Sequence, residues 1–432
     1  MMSKRLTVLA LLAAVPLVVA AIASPEPSSL LRSALASTAA YDARSAQGVT
    51  VHEWGTFTSV AGPDGKAMDW QPAGGPSDLP CFVALTDPSS VKTWGSGPAN
   101  LLGGREGVGT VRMETPVLYF YSPKETTVNV RVGFPHGIIS EWYPSVAQVL
   151  PTGTGNAIKN LPLTYGTIDW KNVKIMPGAA ESYPSEGGSS HYYAARRTNS
   201  NPVQVGNQKE KFLFYRGIAS FQPPIAAVVN PNGTIQVTNL GSEQIPNVIL
   251  FENRAGKIGY TVVREFDKQT TMELPKLTSD FASLQKSLEA ILEAQGMYSD
   301  EAKAMVNTWK DTWFEQGTRI FYIVPSRTVD SILPLTIDPK PVSVARAFVG
   351  RMEVITAATE SEVYSAFQTN NRPVLETYSR FLEPIMKGFY SKLSQEEWSA
   401  ASGIMASIRA GYVARVTACQ QARARAESAA AR

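Results

Sequence analysis

The chain has 432 residues, 44% of them apolar and 18% charged, which are values of a folded globular protein and not of a disordered one. Its 40 basic and 37 acidic residues leave a formal charge of +3, a near balance that gives no reason to expect nucleic acid or an anionic membrane surface as a partner. The length admits two or three domains with a substantial core.

The N-terminus carries an export pattern. Lys4 and Arg5 precede an apolar run over residues 6–20, and Ala21-Ile22-Ala23 is a small-x-small cleavage sequence, so residues 1–23 are expected to be a signal peptide. The run is short of a bilayer span and contains Pro16, which disfavours an uncleaved anchor, and no membrane span is expected in the mature chain. Residues 24–48, rich in Ser, Ala and Pro, read as a flexible linker.

Order is expected from Val49. Residues 51–58 read as the end of a strand leading into Gly62-Pro63-Asp64-Gly65, and residues 66–109 as long loops with Trp70, Phe82 and Trp94 to bury. Strand patterns follow at 111–121, 128–134, 163–168, 211–218 and 225–229. Val128, Val130, Val132 and Phe134 alternate with polar residues in the period of a half-buried strand. Pro231-Asn232-Gly233 predicts a hairpin, and strands at 248–251 and 258–265 flank Ala255-Gly256. The fold class expected is α+β in two parts. Residues 49–275 would form an antiparallel β-sandwich-like domain with long loops.

After residue 276 the period changes. Phe281, Leu284, Leu288, Ile291 and Leu292 predict an amphipathic helix stopped by Gly296, and Ala302, Met305, Trp309 and Trp313 predict a second. Gly317 is placed as the second helix's C-cap, ahead of a doubly buried strand over 319–324. A short helix at 329–333, a strand at 346–355 and helices at 373–392 and 395–416 complete a helix-rich α+β domain over 276–418. Capping boxes are read at Thr359/Glu362 and Ser394/Glu397. Residues 419–432 are expected to be a frayed Ala/Arg tail.

Common site motifs are missing. There is no Cys-x-x-Cys, no HExxH and no Gly-x-Ser-x-Gly, and the glycines at 103, 104, 107 and 109 precede a strand. No metal site, nucleophile elbow or phosphate loop is therefore expected, and no cofactor, although His52, His136 and His191 could still meet in space. The remaining candidates are polar residues inside aromatic segments. Glu114 is placed on one strand face with Arg112, Leu118 and Phe120, where it is either an acid–base group or half of a structural ion pair. Glu53-Trp54 and Glu141-Trp142 each set a carboxylate beside an indole, which a carbohydrate site needs and ordinary core packing also produces. His52 would face away from Glu53. Arg196 and Arg216 either bind an anionic ligand or neutralise Glu114 or Glu141. Asp311 and Glu315 read as a solvated helix face. In an oxidising compartment Cys81 and Cys419 could form a disulfide or remain two separate thiols.

His52-Glu-Trp-Gly-Thr-Phe57, Met113-Glu-Thr-Pro-Val117, Glu141-Trp-Tyr-Pro144 and Phe214-Tyr-Arg-Gly217 resemble segments of a group of exported bacterial proteins of uncharacterised function. The resemblance spans most of residues 50–220. It implies export to the periplasm or beyond and a bacterial source, and it implies no reaction. Two functions stay open. One is a binding or interaction protein that presents aromatic loops to a polar ligand or polymer, with Trp54, Trp142, Arg196 and Arg216 as contacts. The other is a hydrolase of a glycan or similar polymer, with Glu53, Glu114 and Glu141 as acid and base and His52 assisting.

Overall fold

The computed structural model describes residues 48–70, 79–86, 109–152, 160–186 and 190–430. The signal peptide, most of the linker, Trp94 and three of the four glycines just named lie outside the described residues.

Up to residue 272 the chain forms strands β1 (Thr50–Val60), β2 (Ala84–Leu85), β3 (Thr110–Tyr121), β4 (Thr126–Pro135), β5 (Gly137–Tyr143), β6 (Gln148–Leu150), β7 (Tyr165–Ile175), β8 (Val203–Val205), β9 (Gln208–Glu210), β10 (Leu213–Ser220), β11 (Ile225–Val229), β12 (Ile235–Asn239), β13 (Ile245–Arg254), β14 (Lys257–Phe266) and β15 (Gln269–Met272). Helices α1 (Phe281–Ala294) and α2 (Ser299–Trp313) follow. Then come β16 (Gly317–Ile323), α3 (Ser326–Ile332), β17 (Leu335–Asp338), β18 (Ser343–Val354), α4 (Ala357–Gln368), α5 (Arg372–Tyr378), α6 (Leu382–Lys387) and α7 (Gln395–Ala430). The protein is α+β, with a large mixed sheet and helices toward its C-terminus.

Sequence periodicity located most of these elements, but it did not reveal how they join. The main sheet runs β14-β13-β16-β18-β1-β3-β10-β5-β7-β4-β17. β1, expected only as a strand end, is an eleven-residue strand buried along its whole length. It pairs in parallel with β18 on one side and antiparallel with β3 on the other. The expectation of an antiparallel sheet confined to residues 49–275 is thus corrected: β16, β17 and β18, from beyond residue 276, complete the same sheet. Strands from opposite regions of that order, with β11, β12 and β15 of a separate three-stranded sheet, contribute Val51, Phe57, Trp170, Ile225, Val237 and Phe348 to one apolar core.

The other face of β1, β3, β16 and β18 is covered by helices. In α2, Ala302, Met305, Trp309 and Trp313 are all buried, and the Trp313 ring lies 5.5 Å from Phe321 of β16. The helix ends at Phe314, three residues before the expected cap. Gly317 does adopt a positive φ of 118°, but it opens β16, where a Cβ would stand 2.7 Å from Glu353 Oε1. Gly296 stops α1 as expected, with φ of 93°. The Ser394/Glu397 capping box forms with both reciprocal bonds, whereas α4 is capped by Thr356, whose hydroxyl accepts from the Thr359 amide. The expected helix over 373–392 is broken into α5, α6 and short 3-10 turns, and α7 continues to Ala430, through the segment expected to fray. These helices share a second apolar cluster with Val60, at the end of β1, and with Trp70 in the loop beyond it.

Candidate functional site

Adjacent residues of β1 point to opposite faces, so His52 and Glu53 enter different environments, as expected. On the core face, Glu53 is fully buried. Its Oε1 accepts from the Tyr215 hydroxyl at 2.6 Å and its Oε2 from Arg346 Nε at 2.6 Å. Arg346 is the fourth residue of β18, beside α3. Its Nη1 donates to Asp330 Oδ1 at 2.8 Å, and its guanidinium lies 5.7 Å from the Phe348 ring centre. The Arg346 side chain is 7% exposed against 67% for Asp330. Burial alone would lower the pKa of Arg346, but the Glu53 carboxylate beside it raises it above the ordinary value. Its Nη2 is buried with no hydrogen-bond partner. Arg346 and Asp330 form one wall of an open cleft of about 550 Å³ between α3, β17 and the start of β18. Asp330, Lys340 and Arg346 supply its charge, and Leu335, Ile337 and Val344 line its apolar part.

On the helix-covered face, His52 Nδ1 lies 2.8 Å from Glu301 Oε2, and the Tyr121 hydroxyl donates to Glu301 Oε1 at 2.6 Å. Glu301 is held by its place in the first turn of α2, where it also accepts from the Tyr298 amide. Further along the same face lies a layer of buried charge. Arg380 Nη1 donates to Glu114 Oε1 at 2.5 Å, and Arg112 Nε is 3.3 Å from the same oxygen. Arg380 and Arg351 share Glu315, at 3.2 and 3.4 Å. Arg319 grips Glu353 through Nε and Nη2 at 3.0 and 3.1 Å, and donates to the backbone carbonyls of Trp313, Glu315 and Gln316. Arg319 therefore closes the carbonyl end of α2. Burial pushes the Glu114 carboxyl toward its neutral form, yet Arg380 and Arg112 more than reverse this and hold it at about 2. Burial, with Arg380 alongside, lowers Arg351 to about 10.

Two readings of this layer need correction. Glu114 and Arg112 do share a face, but Leu118 and Phe120 lie on the other, within the apolar core. Thr115 takes a positive φ of 46°, and the β1–β3 register shifts between Trp54 and Thr56. That bulge flips the alternation once, putting Val117 and Tyr119 where simple period two would put their neighbours. Glu315 is not a solvated residue, because Arg351 and Arg380 draw it inward. Asp311 is exposed and meets His191 Nε2 at 3.0 Å.

The other candidates are dispersed. Arg216 donates to Thr115 Oγ1 at 3.3 and 3.2 Å and lies 5.8 Å from the Trp309 ring centre. It pairs across strands with Glu141, which is buried and accepts from the Ser140 hydroxyl. Arg196 neutralises neither Glu114 nor Glu141. It forms a two-pronged pair with Glu210 and is surrounded by Phe82, Tyr183, Tyr192 and Tyr193 at 4.9–5.9 Å. Trp54, Trp70 and Trp170 are core residues, while Trp142 is half-buried against the apolar core. His136 Nδ1 meets the Pro162 carbonyl, so the three histidines have three different partners. Among the described residues no group of three His, Cys, Asp or Glu could hold a metal ion. Cys81 and Cys419 form a disulfide with Cα atoms 4.9 Å apart across 338 residues of sequence.

Sequence reasoning missed Arg346, Glu301, Arg351 and Arg380. Arg346 and Arg351 flank the apolar Ala347-Phe348-Val349 run of β18, and a charge set against such a run signals a buried partner. Arg380 lies in a helical stretch with no comparable signal.

No family model matches the chain, and no curated protein matches it. Among solved structures it is similar to the yeast delta-COP-I mu-homology domain complexed with a Dsl1 WxWxV peptide. That likeness has 6% identity, covers 71% of this chain and 96% of that one, and has a TM-score of 0.24. The same yeast domain without the peptide gives 6% identity, 71% and 95% coverage, and a TM-score of 0.25. Scores this low carry no argument about this chain.

Proposed function

We propose that this is an exported binding protein whose ligand occupies the cleft between α3, β17 and β18. The observation that carries the reading is that cleft, walled by an arginine that Glu53 and Asp330 hold in place. The disulfide suits an oxidising compartment, and among the described residues no helix is long and apolar enough to cross a membrane. The placement of the carboxylates read as acid and base also favours binding over hydrolysis. Glu53 faces the apolar core and Glu114 the helices, so the two do not flank one substrate bond. Both are buried and committed to arginines.

Thermal-shift and calorimetric screening of polar small molecules and oligosaccharides, with product analysis on every hit, tests the proposal. The expected result is saturable binding with no product. Cleavage of a glycan, abolished by Glu53→Gln or Glu114→Gln in a folded protein, would support a hydrolase instead.

A further inference from the structure

Resting on the cleft as the binding site, we infer that its ligand is a monocarboxylate with an apolar body, and that Asp330 is a placeholder for the ligand's carboxylate. The argument starts from Arg346. Glu53 takes only its Nε, through an oxygen that no solvent reaches, so this bond is part of the fold. Asp330 takes only Nη1, through one oxygen, from an exposed position on α3. Nη2 has no partner although the side chain is more than nine-tenths buried. A buried guanidinium N–H without an acceptor is costly, and a planar carboxylate can take two parallel N–H groups of one guanidinium. A ligand carboxylate arriving in place of Asp330 would accept from Nη1 and Nη2 together, where Asp330 engages one.

The cleft around that point defines the rest of the ligand. Its lining carries two cationic groups, Arg346 and Lys340, against the carboxylate Asp330, and Glu53 behind Arg346 already offsets one of the two positive charges. Once Asp330 is displaced, one incoming negative charge is favoured. The walls beyond are Leu335, Ile337 and Val344, which suit an aliphatic or aromatic body better than a polyhydroxylated one. The apolar wall also weakens water's competition for the ion pair.

The test is calorimetric titration of the purified full chain with acetate, hexanoate and phenylacetate, each beside its own amide. Hexanoate or phenylacetate is expected to bind at least tenfold more tightly than its amide, and acetate more weakly than either, because it lacks the apolar body. Asp330→Asn removes the competing charge at an exposed position that does not threaten folding. It is expected to raise affinity for the acids about two- to fivefold, the range of an exposed ion pair, and to leave the amides unchanged. Equal binding of acids and amides, or no gain from Asp330→Asn, would overturn the carboxylate inference while leaving the cleft as a binding site. Failure of every acid and every amide to bind would overturn both.

Discussion

Glu114→Gln puts the buried charge layer to a quantitative test. The native carboxyl titrates at about 2 against an ordinary 4.5, a separation of about 2.5, which at 1.36 kcal/mol per unit amounts to about 3 kcal/mol. The sign follows from the direction. Because the folded value is depressed, this stabilisation is fully present above pH 4.5 and is lost as pH falls through the window down to about 2. The glutamine variant keeps the shape but removes the charge, leaving Arg380 and Arg112 less compensated in a buried layer. Urea unfolding of both proteins should therefore show the variant about 3 kcal/mol less stable at pH 7. The gap should shrink steadily between pH 4.5 and pH 2, since the other carboxylates titrate alike in both. A difference below 0.5 kcal/mol (about the noise expected of a surface change), or a gap that stays constant through the acid window, would refute this reasoning.

Replacing Cys81 and Cys419 together by serine reopens a loop of 338 residues. It should cost about 2–5 kcal/mol in denaturant unfolding, and reductant should reproduce that loss in the parent but not in the variant. Trp309→Ala removes a buried ring from the stripe of α2 and should cost about 3–5 kcal/mol by the same assay. Gly350→Ala places a Cβ inside the space of the buried Tyr322 ring. Its melting temperature should fall by the equivalent of about 1–3 kcal/mol, and Tyr322→Ala in the same chain should relieve the clash but open a cavity of its own.

Much of this architecture was written in short-range pattern. The period-two run of β4, the Asn232-Gly233 hairpin between β11 and β12, the stripe of α2 and the Ser394/Glu397 box each depend on residues a few positions apart, so local sterics and burial specify them. Even the opposite orientation of His52 and Glu53 follows from the pleat. One local device was misread. Pro116, which cannot donate to the ladder, follows Thr115 inside β3 and is the local mark of a bulge that simple alternation passes over, yet that bulge decides which side chains share a face with Glu114.

The partners were a different matter. His52 finds Glu301 across 249 positions, Glu114 finds Arg380 across 266, and Glu53 finds Arg346 across 293. Nothing in the composition of any of these segments names its partner, because a guanidinium satisfies any buried carboxylate that the packing brings within reach. That choice came with the pairing of β1 to β18 in parallel and the seating of the helices on the far face of the sheet. The same long-range pairing made one sheet of segments expected to be separate, and it opened the cleft beside Arg346. Local periodicity determined which residues become strands and helices and which faces they bury. The sites were determined only when distant elements met, because ion pairs and clefts are properties of the contact and not of either segment alone.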